Sequence, residues 1–119
     1  MNRAHTPTEN WGWFWQAVTG IGLLALLGLH FVAQHFVAEG GIRDFAGVIA
    51  YLRNPIIVAL EAAFLIVVTW HALLGVRAVL FDLGLSDSAE RRVSRVLLVI
   101  GLLTVGYGLW LTWTITRFV

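Results

Sequence analysis

The sequence predicts an all-α membrane protein with three transmembrane helices. Of its 119 residues, 59% are hydrophobic and 13% are charged, and the mean hydropathy is +0.82. A soluble domain of this size does not need so much apolar surface. Three apolar segments are long enough to supply the roughly 20 helical residues that cross a hydrocarbon core. They cover about residues 14–37, 55–81 and 96–116. We therefore treat residues 1–119 as a single three-helix transmembrane domain.

The first span is too long for the apolar region of a signal peptide, and Arg3 is the only arginine before it. We expect an uncleaved anchor. The pair Gly40–Gly41 is expected to end this helix. A short amphipathic stretch follows, with apolar residues at the i, i+3, i+4, i+7 spacing of one helix face. We expect it to lie flat on the membrane surface. Its apolar residues are Phe45, Val48, Ile49 and Leu52.

The second and third helices have recognisable start signals. Asn54 can cap the second helix, and Pro55 fits its first turn, where a missing N–H costs nothing. Asp87 and Glu90 have the spacing of a capping box, so we expect the third helix to begin in water before it enters the membrane.

The arginines indicate the orientation. All eight basic residues are arginine, and five of them lie on the side that contains the N-terminus. Because positive charge is enriched on the cytoplasmic side, we expect a cytoplasmic N-terminus and an external C-terminus. The two sets are Arg3, Arg77, Arg91, Arg92 and Arg95, and Arg43, Arg53 and Arg117. Tryptophans near both interfaces are typical of aromatic belts, with Trp11, Trp13 and Trp15 inside and Trp110 and Trp113 outside.

Two histidines lie inside these spans, and an ionisable residue in a bilayer is a functional-site hypothesis by default. The chain has no cysteine, so a cofactor must be held by histidine or carboxylate. At about 100° per residue, His30 shares one side of the first helix with a line of mostly polar residues. His35 is rotated about 140° from His30 around the helix axis, and we expect it to be an interfacial residue. The line is Gln16, Thr19, Leu23, His30 and Gln34.

On the second helix, His71, Gly75, Ala78 and Asp82 share a face. Small residues one and two turns from a histidine leave a flat slot beside the imidazole, which a porphyrin plane would fit. The alternative is that both histidines only form hydrogen bonds between helices. Glu61 lies about 80° from the line of His71, and either proton traffic or pairing near the outer interface would explain it.

The sequence here resembles the membrane anchors of succinate:quinone oxidoreductases and fumarate reductases, the cytochrome b subunits of respiratory complex II. The resemblance covers roughly residues 15–84. The segment His71-x3-Gly75-x-Arg77-x4-Asp82 is similar to the second-helix signature of the paired three-helix anchors, and His30 is similar to a histidine of the two-haem members. The matching stretches are LHFVAQHFVAEG at 29–40, LEAA at 60–63 and WHALLGVR at 70–77.

This resemblance implies that His71 and His30 are axial ligands of haem b, with His35, Gly75 and Arg77 as further candidate haem contacts. It implies a non-catalytic subunit that docks an iron–sulfur subunit and a flavoprotein subunit, where succinate is oxidised. Electrons then pass to quinone. The quinone candidates are Trp15, Gln16, Thr19 and Asp82, for which packing or partner docking is the other interpretation.

The sequence departs from the family at two places. Leu83 stands where some anchors have tyrosine, so their quinone-binding tyrosine is not carried over. Ala17 and Val18 stand where a basic residue often precedes the Thr19-Gly20 pair.

Helix depth favours two haems over one shared iron. His71 lies about 15 Å from the inner end of its helix and His30 about 24 Å from the inner end of its own. Each haem then needs a second histidine from a partner anchor subunit in a prokaryotic cell membrane. Such a six-coordinate haem transfers electrons without binding oxygen. Two alternatives remain, a haem-free structural anchor and a small transporter subunit that uses Glu61 and His71 for protons; nothing indicates nucleic acid.

Overall fold

The computed structural model describes residues 7–37 and 44–117, which are helical apart from short turns. Three helices are long and apolar enough to span a membrane, over Trp11–Phe36, Pro55–Asp82 and Asp87–Arg117. The prediction of an all-α protein with three spans is confirmed. In chain order the elements are α1, Pro7–Val32, continued by a π-helical turn over Ala33–Val37; α2, Phe45–Tyr51; α3, Pro55–Asp82; and α4, Asp87–Arg117.

The first helix begins before its predicted span and changes type in its last described turn. It begins at Pro7, well before residue 14, and its last described turn is π-helical. The sequence does not predict this wider turn, which is a feature that often accompanies functional sites. Ala33, at its start, is buried. The expected helix end at Gly40–Gly41 lies outside the described residues.

The short helix between the first two spans is present. The Asp44 side chain caps α2 by accepting the N–H of Gly47 at 2.8 Å. Phe45 is exposed, whereas Val48 and Ile49 are half-buried. The predicted apolar face therefore divides between the bundle and the surroundings. Its position on the membrane surface stays a prediction.

The ends of α3 follow the predicted signals. Asn54 Oδ1 accepts the N–H of Ile56 at 2.9 Å, and Pro55 occupies the first turn. At the other end Gly84 adopts a φ of +72°, a conformation that glycine adopts without strain. This residue turns the chain toward α4.

The start of α4 lies where it was predicted, at Asp87, but the cap is one residue earlier. The Ser86 hydroxyl accepts the N–H of Ala89 at 3.4 Å, and Asp87 and Glu90 both lie in the first turn. Ser86 therefore does what a capping box at Asp87 was predicted to do. Two acidic side chains still face the positive end of the helix dipole.

α3 is the central helix of the layer that the three spans form. α1 packs along one of its sides and α4 along another, and within the described residues α1 and α4 make at most marginal contact with each other. The molecule measures 60 × 24 × 20 Å. We call the end where α3 meets α4 the loop end, and the end beside α2 the α2 end.

Very little of this layer is buried. Of the described side chains and glycines, three are buried, and they are Thr19, Ala33 and Gly101. Large apolar side chains are exposed along all three spans. In a membrane, this apolar surface contacts lipid or neighbouring chains. A bilayer provides no hydrophobic force that would bury it between the helices of one chain.

Candidate functional site

His71 lies at the interface of α1 and α3, where its Nδ1 is 3.1 Å from the Thr19 hydroxyl. That hydroxyl donates its one proton to the carbonyl of Trp15 at 2.6 Å. Toward His71 it therefore acts as an acceptor, so the imidazole carries its proton on Nδ1. In the neutral form of the ring, the opposite nitrogen, Nε2, then keeps its lone pair. A neutral imidazole held this way is the usual form of a metal-ligating histidine.

A groove of about 420 Å³ runs along α3 beside His71. Beside it, glycines on both helices let α1 and α3 approach closely. A Cβ at Gly20 would lie 3.3 Å from His71 Cε1, and a Cβ at Gly75 would lie 3.3 Å from Gln16 Nε2. An open groove therefore lies beside this histidine, where a slot was predicted. It is lined by Gln16, His71, Ala72, Gly75, Val76, Val79 and Leu80.

Two details of the groove were not predicted from the sequence. Ala78 and Asp82 are exposed and do not line it, although their helical phase placed them on the face of His71. Gln16 Oε1 is buried and has no hydrogen-bond partner within the described residues. A buried amide oxygen without a partner costs free energy. A polar group entering the groove would remove that cost.

His30 lies at a second position on the same helix pair. Its Nδ1 is 2.9 Å from both carboxylate oxygens of Glu61 on α3. Tyr51, at the end of α2, donates its hydroxyl proton to Glu61 Oε1 at 2.7 Å. The His30 ring stacks on Phe64, with centroids 5.0 Å apart and planes at 25°. Glu61 is therefore paired with His30, which agrees with one of the two interpretations left open for it.

The two histidines occupy different levels of the α1–α3 pair. These helices run antiparallel, so His30, eleven residues after Thr19, faces Glu61, ten residues before His71. At 1.5 Å per residue the levels are about 15 Å apart. Glu61 and His71 have separate partners. The structure does not bring together the two residues on which the transporter alternative depends.

Arg77 lies outside the groove of His71, although it is two turns or less from that residue on α3. Its Nε donates to Ser94 Oγ of α4 at 3.1 Å, and its guanidinium lies 4.3 Å from the centre of the Phe81 ring. It joins α3 to α4 near the loop end. This position supports a packing role more directly than contact with a group bound at His71.

Two further predicted site residues have aromatic neighbours. Trp15 stacks on Trp70 of α3, with centroids 5.3 Å apart. His35 lies in the π-helical turn, is exposed, and has its ring 4.4 Å from that of Phe31. Its side chain is therefore directed away from the contact between His30 and Glu61, as its helical phase predicted.

The pairing of His30 with Glu61 and the contact from Tyr51 were not predicted from the sequence. The antiparallel register contained the necessary signal. Once Thr19 is paired with His71, counting along both helices places His30 opposite residues 60–61. Tyr51 has no comparable signal, because its position depends on the turn between α2 and α3.

Each histidine brings a single donor to its level. Within residues 7–37 and 44–117, no three histidine or carboxylate side chains gather into a cluster that could hold a metal ion. A six-coordinate haem iron takes only two axial ligands from protein, so one histidine per chain suits that group. The donor set fits haem in preference to a free ion held by this chain alone.

Three membrane-spanning helices with a histidine at each of two levels define a multi-pass membrane subunit with two separate polar positions between its first and second spans. The family of succinate dehydrogenase and fumarate reductase transmembrane subunits matches residues 2–109. The chain belongs to this family.

Two curated relatives have descriptions that agree with this family. A succinate dehydrogenase hydrophobic membrane anchor subunit of Thermoplasma acidophilum is 34% identical over 104 residues, which cover 87% of this chain and 85% of the relative. A protein with the same description from Archaeoglobus fulgidus is 31% identical over 115 residues, or 97% of each chain. No solved structure matches the chain significantly.

Proposed function

We propose that this chain is a membrane anchor subunit of succinate dehydrogenase, that it holds haem b together with a partner anchor subunit, and that it supports electron transfer from an iron–sulfur subunit to quinone. The observation that carries this proposal is the bonding of His71. Its Nδ1 proton is held by Thr19, and its Nε2 is left as a ligand beside a groove with room for a flat group.

The residues at this level have distinct roles in the proposal. His71 supplies the axial nitrogen, and Thr19 holds the ring in the tautomer that leaves Nε2 free. Gly20 keeps side-chain bulk away from the ring, and Gly75 leaves space for the Gln16 amide. When bound, haem b supplies one-electron transfer.

His30 is the candidate ligand of a second haem b. Glu61 accepts the proton of its Nδ1, so Nε2 is again the ligating nitrogen. The second axial ligand at each level comes from the partner anchor subunit, because the described part of this chain offers one histidine per level. The spacing of about 15 Å between levels supports two haems over one.

The peripheral subunits dock at the loop end in this proposal. Arg91, Arg92 and Arg95 are exposed on the first turns of α4 and can meet acidic groups of the iron–sulfur subunit or lipid headgroups. The flavoprotein subunit, where succinate is oxidised, binds through the iron–sulfur subunit. The protein resides in a prokaryotic cell membrane with its N-terminus in the cytoplasm.

Quinone is proposed to bind near the loop end. Of the four candidates, Trp15 and Thr19 already have partners in α3, through Trp70 and His71. Gln16 and Asp82 therefore rank first. Gln16 has a buried oxygen without a partner in the described structure, and Asp82 is exposed at the end of α3.

The haem content of the purified complex tests this proposal. We expect two low-spin b-type haems per complex, measured by reduced-minus-oxidised absorbance and by extraction of the haem. A fully assembled complex without haem would replace the proposal with the haem-free structural anchor. A complex with one haem would remove His30 from the ligand assignment.

A further inference from the structure

The two histidines differ in what holds their Nδ1. At His71 the acceptor is the neutral hydroxyl of Thr19, whereas at His30 it is the carboxylate of Glu61. We propose that Glu61 is a positioning residue that sets the donor strength of His30, and thereby the reduction potential of the haem bound there. This inference rests on the proposed function.

The acceptors at the two histidines differ in charge, because Thr19 offers a neutral hydroxyl and Glu61 a carboxylate. A hydrogen bond to a carboxylate is roughly twice as strong as one between neutral groups. It draws the Nδ1 proton away from the ring, which makes Nε2 a more basic ligand. A more basic ligand stabilises ferric over ferrous iron and so lowers the reduction potential. Thr19 exerts less of this effect, because its oxygen is neutral.

The surroundings of the pair favour a strong interaction. The side chains of His30 and Glu61 are only 28% and 20% exposed. Both carboxylate oxygens lie at 2.9 Å from Nδ1, and Phe64 stacks on the ring and limits its rotation. A charge in such a poorly solvated place is weakly screened. The ring is thus held in orientation as well as in tautomer.

Tyr51 adjusts this interaction from α2. Its hydroxyl donates to Glu61 Oε1 at 2.7 Å and so withdraws part of the negative charge from the bond to His30. Removing that hydroxyl should strengthen the pull of Glu61 on the Nδ1 proton. Two substitutions around one carboxylate are therefore expected to shift the potential in opposite directions.

The test is a redox titration of the whole complex, followed by haem absorbance and low-spin electron paramagnetic resonance. The haem that disappears in His30→Ala is the one to follow. Glu61→Gln keeps an oxygen acceptor but removes its charge, so we expect a higher midpoint potential for that haem. Tyr51→Phe is expected to lower it. The other haem should keep its wild-type potential in both variants.

Asp44→Asn is the matched control. It also removes a carboxylate charge from the α2 end, while asparagine still accepts the N–H of Gly47 and caps α2. We expect its two midpoint potentials to equal those of the wild type. A shift as large as that of Glu61→Gln would show that general charge is responsible and would overturn the specific role of Glu61.

The remaining outcomes separate this inference from the proposed function. If His30→Ala removes one haem but neither Glu61→Gln nor Tyr51→Phe changes its potential, the inference is wrong and the proposed function stands. If His30→Ala retains every haem, the ligand assignment fails and the inference fails with it. If Glu61→Gln does not assemble, the sign of the shift in Tyr51→Phe decides.

Discussion

Thr19 controls which nitrogen of His71 is available, so it offers a direct test of the site. Thr19→Val keeps the shape of the side chain but removes the acceptor for Nδ1–H. Loss of such a partner typically weakens ligation by about 10–100-fold. We expect less haem in the purified complex, with the loss confined to the haem that His71 binds. Haem-to-protein ratios and absorbance spectra measure it.

Thr19→Ser is the matched control, because serine keeps the hydroxyl that accepts from His71. It should retain nearly all of the haem. Equal haem loss in the serine and valine variants would indicate that the volume of Thr19 matters and its hydrogen bond does not.

Separate replacement of His30, His35 and His71 tests which histidines are ligands. His71→Ala is expected to remove the haem nearer the loop end and to damage quinone reduction most. His30→Ala should remove the other haem and leave the first recognisable. Redox-resolved spectra of the complex distinguish the two.

His35→Ala provides the control on the same helix. His35 is exposed and contacts Phe31, so this variant should keep both low-spin signals. A His35→Ala complex that lacks the haem retained by His30→Ala would move the ligand from His30 to His35.

Among these residues, the sequence predicted positions better than partners. The polar line on α1 could be predicted because a lipid-exposed face would not carry Gln16, Thr19 and His30, and all three contact α3. The pairing of Glu61 depends on the register between two helices. Helical phase within one helix does not contain that information.

The packing of α4 on α3 depends on two glycines one heptad apart. A Cβ at Gly101 would lie 2.5 Å from Leu73 Cδ1, and a Cβ at Gly108 would lie 2.5 Å from Leu65 Cδ2. The sequence pattern of Thr104, Gly108 and Thr112 indicates a nearby line. Thr104 is exposed, so the contact line runs through Gly101 in its place.

Gly108→Leu should therefore separate α4 from α3. Overpacking of this kind typically costs about 1–3 kcal/mol. We expect a lower midpoint of thermal unfolding and a lower yield of assembled complex, while membrane insertion stays normal because leucine is more apolar than glycine.

Gly106→Leu makes the same chemical change where a Cβ would have open space on the described chain. It should leave thermal stability close to that of the wild type. Normal stability in Gly108→Leu, or an equal loss in Gly106→Leu, would contradict the assigned contact.

Element boundaries were predicted well where a local signal exists. Asn54 and Pro55 start α3, and the acidic turn after Ser86 starts α4. The π-helical turn over Ala33–Val37 has no such signal, because it changes hydrogen bonding without requiring a special residue. The residues of α4 that contact α3 could not be predicted individually, because several small residues on α4 have similar spacing.

The direction of the whole layer in the membrane can be tested by labelling. Ser88 is exposed in the first turns of α4, and the chain has no native cysteine to complicate the result. We expect Ser88→Cys to react with a membrane-impermeant thiol reagent only after the cytoplasmic side is opened. Labelling in intact cells would show that the inferred orientation is wrong and that the loop end lies outside.

The molecule as a whole is an incomplete bundle. Its three spans leave large apolar side chains exposed along their length. The sequence predicted the spans because length and hydropathy suffice for that purpose. Which side of the layer a partner covers could not be predicted, since lipid-facing and partner-facing helix surfaces have similar composition.

The central place of α3 also affects how this sequence can diverge. A substitution on α3 has to suit α1 on one side and α4 on another, whereas within the described residues each outer helix packs extensively only against α3. Evolutionary change among relatives should therefore be slowest along α3. Where it does occur, Leu65 and Leu73 should change together with Gly108 and Gly101, because a smaller residue on one helix makes room for a larger one on the other.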